Sequence, residues 1–489
     1  MHAALAPIAP DPDPARRRGP GSAPAPAPRL APTASRGRGR DRSASWRAAA
    51  RLLIAGTSIG IALLWLLGGG PRDLLGTSGE AVSSVGRLTG LVSANLLLHQ
   101  VLLMARVPVL ERGLGRDAIA RLHRTAGFWS FWLMLAHIAL ITLGYAQTAS
   151  VDVLAQFWDL VWDYPGMLLA TGGALLLVLV VVTSIRRARR RLRYESWHLL
   201  HLYAYLGAGL AVPHMLWTGT DLGGALPSLY WWTLWAAAAL AVVVWRVAVP
   251  LTRSARSRLR VDRVELEGDH GVTVRMRGRR LDRLGARAGQ FFVWRFLDGP
   301  GWTRGHPFSL AAAPTDDELV ITVRRVGDGT DRLARLRPGT RVLVEGPYGE
   351  MTGDRRRGAK LLLLAAGAGV APLLGILESE RYAPGDALLV TREHGAGRVL
   401  GADRIARLVR ERGLVHATLD GPRARRRSSW LPASHIAWRG PELIRFLAPD
   451  VEDCDVYVCG PAPWTASLRR DLLEAGAAAD RIHSEAFSL

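Results

Sequence analysis

The chain runs to 489 residues, 49% of them hydrophobic, with 17 Trp, only two Cys and a formal net charge of +21. That length admits several domains, and the long apolar runs exclude a wholly water-soluble or unstructured chain. Cys454 and Cys459 are too few for a disulfide framework and point to a reducing compartment for the C-terminal end.

Residues 1–48 are rich in Ala, Pro and Arg, cannot bury a core, and read as a disordered cytosolic tail. A cleaved leader is not expected, because the first apolar run lies far from Met1. A membrane domain over 49–252 follows, with six apolar segments of spanning length at roughly 50–68, 84–104, 122–145, 164–185, 197–217 and 229–250. Arginine sorts the loops. Arg36, Arg38, Arg40, Arg42 and Arg47 precede the first span. Arg106, Arg112, Arg116 and Arg121 separate the second and third, and "RRARRRLR" (186–193) separates the fourth and fifth. The alternate loops hold only Arg72. Basic loops stay in the cytosol, so the pattern predicts a multi-pass plasma-membrane protein with both termini cytosolic. It also argues against nucleic acid as a partner, because the charge follows the topology. Trp158, Trp162, Trp217, Trp231 and Trp232 fall near the outer boundaries, as interfacial aromatics do.

The third span carries His123 and His137, fourteen residues apart. At about 100° per residue they come within about 40° of one face, and the rise between them is roughly 21 Å. The fifth span runs in the same direction and carries His198, His201 and His214. His201 matches the depth of His123, and His214 the depth of His137. Paired histidines on neighbouring helices can fill both axial positions of a haem, so the pattern predicts two stacked b-type haems. A single intramembrane histidine is more often a hydrogen-bonded interhelical contact; four at matched depths point to function. His201 and His214 are about 140° out of phase on a regular helix, so an irregularity at Pro213, Gly207 or Gly209 is expected. His198 is the alternative inner ligand. His99, in the second span, has no depth-matched partner and reads as structural or as a tuning contact.

After Leu251 the pattern changes. Residues 255–352 show short strands broken by Gly and Pro, the outline of a small antiparallel barrel. Residues 357–489 alternate strand and helix, as a parallel α/β sheet does. In "GHPFSLAAAP" (305–314), Phe308 could wall a flavin and Ser309 could donate to its N5; an ordinary barrel strand is the equal reading. "VRRVGDGTDRL" (323–333) sets Gly327, Gly329 and Thr330 at a turn suited to a pyrophosphate, with Arg324 adding charge. "LLLLAAGAGVAPLLGIL" (361–377) is a strand, a Gly-rich turn and a helix, in which Gly367 and Gly369 permit close approach of a nucleotide phosphate. "VYVCGP" (456–461) ends a strand at Cys459 and Gly460, where open α/β sheets bind ligands.

The ordered motifs HPFS, EGPYG (345–349), GAGVAP, VYVCGP and IHSEAF (482–487) resemble the ferredoxin–NADP reductase superfamily. With the paired histidines ahead of them, residues from about 84 to 489 resemble the ferric reductase and NADPH oxidase family of transmembrane flavocytochromes b. The resemblance implies that His306, Pro307, Phe308 and Ser309 hold FAD, with Gly327 and Thr330 at its pyrophosphate. Gly367, Gly369 and Pro372 would line the pyridine nucleotide, and Cys459, Gly460 and Pro461 would lie by the nicotinamide. Glu485 and Phe487 would face the flavin. Ser309, Cys459, Glu485 and Phe487 are thus the expected catalytic positions, and His123, His137, His201 and His214 the expected metal ligands. Arg392 and the run Arg423, Arg425, Arg426, Arg427 could meet a 2′-phosphate, favouring NADPH; a solvated basic loop is an equal reading of the run. The expected electron acceptor is a small molecule at the outer face, a ferric chelate first. Superoxide production from O₂, or delivery to a partner protein or quinone, are the alternatives.

Overall fold

The computed structural model describes residues 38–185, 194–219, 224–299, 301–395, 399–422, 429–435 and 437–487. Most of the expected tail, the basic run 186–193, the arginines at 423–427 and the side chain of His198 lie outside the described residues. The tail ends earlier than expected, because 38–48 already belong to a helix.

Among the described residues, six long helices lead the chain: α1 (Arg38–Leu67), α2 (Ser78–Met104), α3 (Arg116–Ala149), α4 (Met167–Ser184), α5 (Tyr194–Thr218) and α6 (Ala225–Ala241). α6 runs on through a π-helical segment, Val242–Ala248, into α7 (Val249–Ser257). α2 starts where a capping box closes on it: the Thr77 hydroxyl accepts from Glu80 N, and the Glu80 carboxylate accepts from Thr77 N at 2.7 Å. Among the described residues, five stretches are long and apolar enough to cross a membrane: Ser78–Met104, Ala118–Ala149, Met167–Ser184, Leu199–Thr218 and Ala225–Ser257. The expected first span lies on α1, whose apolar part, Ala55–Leu67, is shorter than the roughly 20 residues a bilayer core requires.

Small residues set the helix contacts. A Cβ on Gly144 of α3 would sit 2.8 Å from Gly79 O of α2, and one on Gly173 of α4 would sit 2.7 Å from Gly207 O of α5. Ser93 and Ser130 each donate to the other's carbonyl across α2 and α3, at 2.7 and 3.0 Å. Close backbones and exchanged hydroxyl bonds hold helices where water supplies no hydrophobic drive. The outward faces stay apolar and exposed. Trp158, Trp162, Trp217 and Trp232 are exposed as expected of interfacial aromatics, but Trp231 is fully buried against α1 and α2. It precedes Trp232 by one position, and neighbours on a helix point about 100° apart.

The next unit is two three-stranded antiparallel sheets. One has the order β1 (Arg260–Glu267), β2 (Gly271–Arg277), β5 (Glu318–Arg324); the other β4 (His306–Ser309), β3 (Phe291–Phe296), β6 (Val342–Tyr348). They share a core of Met276, Phe292, Trp294, Leu310 and Ile321. Regular pairing does not run right round, as it would in a continuous barrel. At the two seams there are single bridges, Arg260 to Arg341 and Leu310 to Ile321.

The last unit is a five-stranded parallel sheet of order β11 (Ile482–Phe487), β10 (Asp455–Pro461), β7 (Leu361–Ala366), β8 (Ala387–Glu393), β9 (Val415–Asp420). β7 is buried at every position, the pattern of a strand covered on both faces. α8 (Val370–Ser379) follows it directly. The antiparallel and parallel units join through Gly401 N donating to Glu267 at 2.6 Å and Arg404 donating to Ala311 O at 2.5 Å.

Candidate functional site

α2, α3, α4 and α5 enclose a cavity of about 990 Å³ whose wall carries His123, His137, His201 and His214 among mostly apolar side chains. That volume stands at the upper end for a cofactor pocket. His123 faces His201 with ring centroids 6.0 Å apart, and His137 faces His214 at 6.3 Å. Two metal–imidazole bonds of about 2.0 Å and two ring half-widths of about 1.1 Å sum to about 6.2 Å, the separation that an ion shared by two imidazoles requires. Among the described residues no three His, Cys, Asp or Glu side chains cluster as a protein-caged metal would need. The histidines are arranged as two pairs.

The ring nitrogens away from the pairing are engaged. His137 Nδ1 lies 2.8 Å from Gly86 O, His214 Nδ1 3.1 Å from Ala211 O, and His201 Nδ1 3.3 Å from Ser184 Oγ. Such bonds fix a ring's orientation and present Nε2 to a metal. The His123 Nδ1 is buried and lacks a hydrogen bond of normal geometry. Gly90 makes the room for His137: a Cβ there would fall 2.5 Å from Nδ1.

α5 shows no break, although an irregularity is expected from the thirteen-residue spacing; Pro213 sits inside a continuous helix. The His214 ring instead turns back along its own helix onto the Ala211 carbonyl, the direction helical side chains favour, and reaches the cavity that way. His99 stands outside the cavity. Its Nε2 lies 3.0 Å from Thr57 Oγ1 of α1, and Tyr230 of α6 donates to the Thr57 carbonyl, so His99 ties three helices together.

Two arginines in the cavity wall escaped the sequence reading. Arg87, on the His137 level, is ion-paired to Asp73 at 2.5 Å. Arg246, in the π-helical segment on the His123 level, donates to Met104 O at 2.8 Å. The signal was present: each is a lone charge inside an apolar run, and such charges are scarce without a role.

In the two C-terminal units the expected positions fall into three groups. His306 and Phe308 stack in parallel at 5.7 Å on one face of β4, so by strand alternation Pro307 and Ser309 take the other. Phe308 and Ser309 therefore do not share a face. In the turn after β5, the Thr330 hydroxyl accepts from Val326 N and Gly327 N, at 2.9 and 3.2 Å, so those amides are already occupied. Arg304 lies over this turn, 3.3 Å from where a Gly329 Cβ would stand, and Arg332 pairs with Asp298 at 2.5 Å. Sequence reasoning missed both: Arg304 stands one residue before GHPFSLAAAP, and Arg332, inside the 323–333 stretch, was passed over for its glycines.

Arg324 is not at that turn. It reaches the parallel sheet, where it pairs with the buried Glu393 at 2.6 Å and lies near Gly367. Burial pushes the Glu393 carboxyl up despite the guanidinium beside it. Arg392 is 7% exposed and donates to Glu393 O rather than facing solvent.

The third group does converge, at the C-terminal edge of the parallel sheet. A Cβ on Gly369 would fall 2.1 Å from Cys459 O, and one on Gly460 would meet Trp464 at 2.7 Å, so only glycine fits either place. Gly367 holds φ at 58°, the left-handed region that glycine tolerates. Cys459 pairs with Glu485 and Pro461 with Phe487 across β10 and β11. Glu485 approaches Gly349, the last residue of EGPYG, and Phe487 packs beside the cluster that contains Cys459. Pro372 is buried within α8 rather than on the edge. Burial raises the Cys459 thiol far above its usual range.

Fold and site together define a membrane helix bundle with a paired-histidine cavity, carrying an antiparallel β unit and a parallel α/β unit. Residues 89–212 match the family described as ferric reductase like transmembrane component, and residues 258–352 match an FAD-binding domain. The chain is similar to a probable dihydroorotate dehydrogenase B (NAD(+)), electron transfer subunit, of Methanopyrus kandleri, at 35% identity over 30% of this chain and 50% of that protein. It is similar to the ferredoxin reductase component of 3-ketosteroid-9-alpha-monooxygenase of Rhodococcus rhodochrous, at 27% identity over 42% and 57%. A superoxide-generating NADPH oxidase heavy chain of Dictyostelium discoideum matches at 23% identity over 42% and 41%. The chain spans about half the length of the curated relatives it matches.

Proposed function

We propose that this protein is a plasma-membrane oxidoreductase, both termini cytosolic, that moves electrons from NAD(P)H to a small acceptor at the outer face. The observation that carries the reading is the two facing histidine pairs, 6.0 and 6.3 Å apart, in one cavity between four helices. His123 with His201, and His137 with His214, would each hold one b-type haem; the family match over 89–212 supports this. When bound, FAD accepts a hydride from the nicotinamide and releases electrons singly, and the haems carry them across the membrane.

The chain's own residues do the rest. Gly90 leaves space for the His137 ring, and the carbonyls of Gly86 and Ala211 set ring orientation. Arg87 and Arg246 place one positive charge at each histidine level, suited to the carboxylate edge of a haem. His306, Pro307, Phe308 and Ser309, with Gly327, Gly329, Thr330 and Arg304, would receive FAD. Gly367, Gly369, Cys459, Gly460 and Pro461 would receive the nucleotide, and Glu485 and Phe487 would stand between the two. NADPH would be preferred through Arg392 only if its side chain leaves Glu393 O and turns outward to a 2′-phosphate.

Ferric chelate is the first reading of the acceptor, supported by the family match over 89–212. Superoxide production is the second, favoured by the likeness to the Dictyostelium oxidase. Membrane vesicles given NADPH separate them. Anaerobic Fe(III) reduction at the outer face supports the first; a superoxide signal that vanishes without O₂, with no Fe(III) reduction, supports the second. Activity toward neither acceptor, with NADPH still bleaching the cofactors, moves the reading to a partner protein or quinone.

A further inference from the structure

Strand β6 of the flavin unit is gripped by the membrane helices along four of its residues. Arg106, just past the end of α2, pairs with Glu345 at 2.8 Å and lies over the Tyr348 ring at 4.7 Å. Arg295, within the flavin unit, pairs with Glu345 from the other side at 3.2 Å, and the Tyr348 hydroxyl donates to the same carboxylate. On α7, Arg253 donates to Gly346 O at 2.5 Å; the Ser254 hydroxyl accepts from Val344 N at 2.9 Å and donates to Val344 O at 3.2 Å. The two arms are themselves tied by Arg246 donating to Met104 O.

This joint is costly to keep. Arg106 holds φ at 63°, in the left-handed region, without being glycine. Its Nη1 is buried without a partner, and Glu345 keeps only 7% of its side chain exposed. The second arm hangs from a π-helical segment, another sparse backbone form. Buried ion pairs are weak sources of stability but good at fixing register, and strained backbone concentrates where geometry matters. The gripped strand runs on through Gly349 to Glu485, at the edge of the nucleotide site.

We propose that Arg106 and Glu345 are positioning residues for the electron's entry into the membrane: the Arg106–Glu345–Arg295 triad clamps the flavin unit against the cytosolic end of the bundle. The inference rests on the electron-path reading given above. Electron tunnelling falls steeply with distance, whereas hydride transfer from nucleotide to flavin takes place wholly within the soluble units. Loosening the clamp thus slows the first and spares the second.

The test uses full-length protein in lipid nanodiscs, parent against Arg106→Met and Glu345→Gln, with FAD and haem content measured first. Anaerobic stopped-flow with NADPH then follows flavin bleaching and the haem band separately, and hydrogen exchange follows the amides of 342–348. The expected result is flavin bleaching within about twofold of the parent and haem reduction slower by at least about tenfold. Faster exchange over 342–348 and partial recovery in Arg106→Lys are expected as well. Unchanged haem reduction with both cofactors in place, flavin and haem steps falling together, or unchanged exchange would each overturn the proposal. If the parent itself holds no haem, the electron-path reading fails, and the exchange data alone judge the clamp. If Glu345→Gln does not fold, Ser254→Ala, which removes both bonds to Val344, gives the same readouts.

Discussion

In the bundle, four histidines stand on two helices that meet their neighbours through glycine and serine. In the two C-terminal units, side chains expected at the cofactors are already engaged, as Arg324 holds Glu393 and Thr330 holds the amides of its own turn. The first site is shaped by leaving side chains out of an apolar wall, and the second by glycines set among paired charges. A bilayer offers no water to stabilise an unpaired charge, so space and a few aimed nitrogens do the work there. Where water is near, exposed ion pairs form and re-form at small net cost, whereas Glu393, 2% exposed, makes a pair with Arg324 that is costly to break.

The comparison breaks first at His137. His137→Ala is expected to remove one of two haems while the other stays, and to cut electron delivery to the outer face by more than about 100-fold. Retention of both haems, quantified by pyridine haemochrome, would show that the facing rings are only packing partners. Gly90→Val comes next. Its side chain would strike His137, lowering haem occupancy or shifting the haem band, whereas Gly172→Val, with nothing within 4 Å of its Cβ position, is silent. Equal effects from the two would remove the claim that the site is shaped by an omitted side chain.

In the C-terminal units the effects are smaller. Burial alone would raise the Asp455 carboxyl, but bonds from His483 and from the amides of Gly358 and Arg357 outweigh it and hold it below its usual 3.8. Its contribution to stability is therefore complete above that value and lost as pH falls through the lower folded one. Asp455→Asn is expected to cost about 1–3 kcal/mol at pH 7 and to flatten the acid limb, read from urea melts of the full chain between pH 3 and 7. The smallest effect concerns the thiols. Burial pushes Cys454 up to about 11 and Cys459 further, so neither should be alkylated in the native protein at pH 8.

The sequence carried the pairing of the bundle's histidines better than its packing. His123 and His137 fit one face by counting alone, and their partners follow from depth. What counting missed was the turn of the His214 ring onto Ala211, a side-chain choice that helical phase does not contain. The parallel sheet was legible because β7 is apolar throughout and ends in glycines that meet Cys459. The split of Phe308 and Ser309 to opposite faces was open to strand alternation, but the motif invited reading the two together. Arg304 and the Arg106–Glu345 joint were not legible, because they depend on which loops meet in space.

The central claim is two haem-holding histidine pairs in one path with a flavin. The most direct measurement is the absorption spectrum of the purified full-length protein, oxidised and then reduced anaerobically by NADPH, with haem and flavin quantified. The account predicts two b-type haems per FAD, both reduced by the nucleotide. A flavoprotein spectrum with no haem band would contradict it.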